Sequence, residues 1–107
     1  MKNNKQDILK DAEKLVEHEK FTEALNLLDS FLNKVPEDED LLLKKAFLLK
    51  QTQQFGKALN TLKKVLELHP DNKEAQNLHN MITDILRFQQ VDIYASTNLS
   101  NDPWLDD

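Results

Sequence analysis

Residues 55–72, FGKALNTLKKVLELHPDN, repeat the pattern of residues 21–38, FTEALNLLDSFLNKVPED, at a distance of 34 positions. Phe21 corresponds to Phe55, Ala24 to Ala58, Leu25 to Leu59, Leu28 to Leu62, Leu32 to Leu66 and Pro36 to Pro70. Self-similarity at a fixed period of this size marks a repeat architecture, in which each unit buries its apolar face against the next. Within each copy the apolar residues recur at three- and four-residue spacings, the period of a helix and not of a strand. The expected fold class is therefore all-α, a stack of helical hairpins that presents a surface.

Reading outward gives about five antiparallel helices. Gln6–Glu17 carries Ile8, Leu9, Ala12, Leu15 and Val16 on one face, and Thr22–Asn33 follows with Thr22 as expected N-cap. Pro36 ends that helix, and the acids of EDED (37–40) suit the positive start of the next. Asp40–Gln51 is apolar on most sides, which predicts a helix sandwiched between neighbours. Gly56 is expected at a corner before Lys57–Leu68. Lys73 to about residue 88 forms a cap whose other face, with Gln76, Asn80, Thr83, Asp84 and Arg87, is polar. Residues 91–107 lack helical period and positive charge and predict a non-helical acidic tail. The expected organisation is a domain over 1–90, with repeats at about 5–38 and 39–72, the cap at 73–88, and the tail at 91–107.

The 107 residues carry a net charge of −5, with no Cys and one Gly. All 14 Lys and Arg lie at or before Arg87, whereas Asp92, Asp102, Asp106 and Asp107 follow it. A near-neutral body with an acidic tail speaks against nucleic acid, which wants a basic stripe. Neither a signal peptide nor an apolar run of membrane-spanning length is present, so a cytoplasmic protein is expected. His18, His69 and His79 have no paired ligand spacing, and a single Gly cannot build a phosphate loop. No nucleophile stands beside a base and an orienting group. No cofactor, metal site or catalytic residue is expected, and the chain does not read as an enzyme.

The paired helices resemble the tetratricopeptide repeat family. That family favours a small residue in the first helix (Ala12 and Ala46), an aromatic at the corner (Phe21 and Phe55), Ala in the second helix (Ala24 and Ala58) and Pro at its end (Pro36 and Pro70). The resemblance covers about residues 5–88. It departs at Ile8, Asp11, Leu42 and Lys45, where the family usually has Trp and Leu. What it implies is a right-handed stack whose first helices line a concave groove. The implied lining is Leu9, Glu13, Val16, Leu43, Phe47, Lys50, Asn77, Met81 and Asp84, with Gln6, Glu17, Asp40, Gln51 and Ile85 beside them. Family members that grip a C-terminal carboxylate use Lys, Asn and Arg at positions that here hold Leu9, Glu13, Lys44, Glu74 and Leu78. Glu13 would repel a carboxylate, so chaperone tails are not the expected ligand.

The implied function is a protein-interaction adaptor or scaffold that takes a peptide or helix in the groove. The alternative is a structural or assembly subunit whose groove or tail is engaged in a homo-oligomer or larger complex. In the tail, Tyr94, Leu99, Trp104 and Leu105 are candidate anchors, docked in cis, docked in trans, or disordered. Leu43 and Phe47 have a plainer reading as inter-helix core.

Overall fold

The computed structural model describes residues 4–96, with side chains through residue 89. Five helices make up these described residues: α1 (Lys5–Glu17), α2 (Phe21–Leu32), α3 (Glu39–Gln51), α4 (Phe55–Leu68) and α5 (Lys73–Ser96). No strand occurs among them. Helices α1 and α2 form one hairpin and α3 and α4 the next, with α5 packed on α4. Helix α3 touches all four others, as its apolar circumference predicts.

The 34-residue period extends to the helix starts. Asn4, Asp38 and Asn72 accept backbone hydrogen bonds from Asp7 (2.9 Å), Leu41 (3.1 Å) and Ala75 (2.8 Å) through their side-chain oxygens. Each satisfies an orphan N–H of the first turn. The corners repeat as well. Glu19 and Gln53 adopt positive φ, 59° and 63°. The Lys20 N–H then bonds Leu15 O (2.8 Å) and the Glu19 N–H bonds Val16 O (2.9 Å), with Gln54 to Leu49 and Gln53 to Lys50 doing the same one repeat later. This is the Schellman ending, built here without its usual glycine.

Three sequence expectations are corrected. Thr22 is not the cap of α2, because the left-handed residue at 19 lets the helix start at Phe21 with Lys20 as N-cap and no side-chain cap bond. Gly56 lies in the first turn of α4 and not at the corner, which falls at Thr52–Gln54. The stretch 91–96 is helical, since α5 runs on to Ser96 without the turn that ends α1 and α3. Tyr94 therefore falls within a helix, while Leu99, Trp104 and Leu105 lie outside the described residues.

The core explains the stacking. Ile8 and Ala12 of α1 are buried, as are Leu42, Ala46 and Leu49 at the equivalent positions and their next turn on α3. Ala12, Ala24, Ala46 and Ala58 have no exposed surface, so backbones approach closely where the helices cross. Leu41 and Leu48 lie about a quarter-turn round α3 from that face and are also fully buried, and their α5 equivalents Ala75 and Ile82 repeat this. The α5 equivalents of Leu42, Ala46 and Leu49 are Gln76, Asn80 and Thr83. Where α1 and α3 receive a following helix, α5 receives none among the described residues, and Asn80 is exposed with Gln76 and Thr83 partly so.

Candidate protein-binding groove

The first helix of each unit faces a shared concavity of about 630 Å³. Its lining obeys the same period. Four positions, each taken three times, supply every residue: Gln6, Asp40 and Glu74; Leu9, Leu43 and Asn77; Lys10, Lys44 and Leu78; Glu13, Phe47 and Met81. Side chains three and four apart on a helix share a face, so 6, 9, 10 and 13 project together from α1, and their equivalents project from α3 and α5. Chemistry changes across the three rows. The α1 side bears Lys10 and Glu13, whereas the α5 side bears Leu78 and Met81.

Of the residues expected from the sequence, Leu9, Glu13, Leu43, Phe47, Asn77 and Met81 are brought together here. Val16, Lys50 and Asp84, themselves one repeat apart, sit a turn further along and do not line the concavity. Val16 packs half-buried against the core. Asp84 accepts a hydrogen bond from Arg87 on its own helix at 3.1 Å. Lys50 keeps a link to the site, with its ammonium 5.8 Å from the centroid of the Phe47 ring. Lys44, Glu74 and Leu78 entered the sequence reading only as counterparts of the carboxylate-gripping positions, and Lys10 was missed altogether. The signal was present, since each lies 34 or 68 positions from another lining residue.

Ion pairs fix the rows relative to one another. The Lys44 ammonium donates to Glu13 Oε1 at 2.6 Å, joining α3 to α1. That hydrogen bond, reinforced by the lysine charge, holds the Glu13 carboxyl below the ordinary carboxylate range. At the helix starts Lys5 reaches Asp40 at 2.9 Å and Asp38 at 3.5 Å. The hydrogen bond to Asp40 raises the Lys5 ammonium above its usual value, against a desolvation penalty and with help from the charges of Asp38 and Asp40. The Asn72 amide donates to Glu39, tying the start of α5 to that of α3.

Phe47 stands between two cations, with Lys44 at 6.0 Å and Lys50 at 5.8 Å from its centroid. Even so, 42% of the residue stays exposed, as does 46% of Met81. The plainer reading of Phe47 as inter-helix core does not fit that exposure. Leu43 is half-buried and does both jobs, packing on the core and lining the groove. On the opposite side, a depression between α2 and α4 is lined mainly by polar groups, among them Asn26, Asp29, Lys45 and Asn60.

No group of His, Cys, Asp or Glu among the described residues could hold a metal ion, and no helix is long and apolar enough to cross a membrane. Stacked hairpins with a concave, partly apolar inner face define a helical-repeat protein of the kind that displays a recognition surface. A family model described as tetratricopeptide repeat matches residues 15–82, and the chain belongs to that family. Tetratricopeptide repeats generally mediate protein–protein interaction. No curated protein and no solved structure matches the chain.

Proposed function

We propose that the chain is a cytoplasmic adaptor that binds a protein segment, an amphipathic helix or an extended stretch, along the concave groove. The observation that carries this reading is the graded lining. Phe47, Leu78 and Met81 form an apolar half, two of the three nearly half exposed, beside a charged half with Lys10, Glu13 and Lys44. An apolar half beside a charged one suits burial of anchor side chains, with the charges setting orientation. Val16, Lys50 and Asp84 extend the rim for a ligand longer than the concavity. The reading needs no catalytic step, cofactor or nucleic acid.

A displayed random-peptide library panned on the full chain tests it. Expected are binders with two or three apolar anchors whose capture is lost in Phe47→Glu and Met81→Glu variants of unchanged helical circular dichroism. Binders indifferent to both substitutions, or none at all, would overturn the groove assignment.

A further inference from the structure

Helices α1 and α3 end at Glu17 and Gln51, and the equivalent position on α5 is Ile85. Helix α5 continues to Ser96, eleven residues further, which at ~1.5 Å per residue is an overrun of about 16 Å. Along it runs a stripe at Leu78, Met81, Ile85 and Phe88, spaced three, four and three. This is the seam spacing of paired helices. Leu78 and Met81 belong to the groove, so the stripe leaves the groove and follows the overrun. Its two members Phe88, 73% exposed, and Met81 are the most exposed large apolar residues among those described. No helix of the described chain flanks Phe88, because α1 and α3 stop short of it.

We infer that this stripe is a contact between two copies of the chain, α5 against α5, antiparallel about a two-fold axis beside residue 83. The spacing asks for a helix, and the lengths point to this same helix. Rotation about that axis sets residue 88 opposite residue 78 of the second copy and residue 85 opposite residue 81. Residues 85–92 then cover the stretch 74–81 that lines the other copy's groove. Each overrun fills the other copy's apolar half-groove, and the two-fold closes the assembly without a free end. Asp84 falls beside the axis, and its carboxylate is already engaged by Arg87 at 3.1 Å, so the copies do not meet as bare like charges. The pairing goes beyond the peptide-binding reading and does not depend on it. It makes one consequence measurable: a groove ligand and the second copy compete for Leu78 and Met81, so ligand binding separates the pair.

Sedimentation of the full chain over a dilution series is the test. The expected mass rises toward twice 12.5 kDa as concentration increases. Phe88→Asp, at an exposed site that leaves circular dichroism unchanged, weakens association by about tenfold or more, since an aromatic anchor is lost at each end of the seam. The chain lacks cysteine, so introduced thiols report the geometry. Oxidised Asp84→Cys is expected to run at double mass, while Thr83→Cys, level with the axis but on the far side of α5 from the stripe, stays single. A single-chain mass at every concentration, a pair indifferent to Phe88→Asp, or equal cross-linking by the two cysteines would each overturn the inference.

Discussion

Two identical substitutions on one helix separate core from groove. Leu48 and Leu43 lie five residues apart on α3, so Leu→Ala changes helix propensity equally at both and that contribution cancels. Leu48 has no exposed surface and sits in the cluster joining the hairpins. Its truncation removes buried carbons and leaves a cavity that neighbours on both sides of α3 can fill only by moving. Leu→Ala at such sites costs about 3–5 kcal/mol. For a domain near this size, ~1 kcal/mol lowers Tm by about 4–8 °C, so Leu48→Ala should melt at least about 12 °C lower. Leu43 is half-buried, and its loss widens a groove already open to water, which points to about 1 kcal/mol. Thermal unfolding followed by circular dichroism measures both. Equal losses for the two variants would refute the assignment of faces on α3, and with it the groove.

The remaining predictions concern caps, corners and charge. Gly56 is helical and a Cβ built there meets nothing within 4 Å, so Gly56→Ala should raise stability by about 0.5–1 kcal/mol in urea unfolding. Gln53 pays for a left-handed backbone that glycine adopts freely, so Gln53→Gly should be neutral or stabilising by up to about 1 kcal/mol, whereas Gln53→Val should destabilise. Glu13 is held below the ordinary carboxylate range, so its contribution is present above that range and fades as pH falls through the lowered value. The small gap in Tm between the native chain and Glu13→Gln should therefore close on acidification; a gap that widens would exclude the Lys44 pair as its source.

Much of this arrangement is legible in the sequence, and the gaps have physical causes. Apolar periodicity locates α1 to α4 because burial enforces it, and Ala24 and Ala58 do occupy equivalent, fully buried sites. Caps were less legible. Thr22 has the right side chain, but the backbone reversal at Glu19 decides where α2 begins, and no propensity announces glutamate in a left-handed conformation. The end of α5 misled for the opposite reason. β-branched and acidic residues at 91–93 disfavour a free helix only weakly, and a helix already nucleated on α4 extends through them. In the groove, Lys10 was overlooked because a charged residue on a helix reads first as a solvated face. Only the period, carried from Lys44 and Leu78 back to α1, reveals it as wall.

The polar trio Gln76, Asn80 and Thr83 acts as punctuation. Each stands where an earlier unit has Leu42, Ala46 or Leu49, and together they make that face of α5 wettable. Rewriting the three to the earlier spelling would turn the last rod into a sticky template. The apolar faces of α2 and α4 are already buried, so the rewritten rod would find no free partner within its own kind and would be expected to cost the chain solubility.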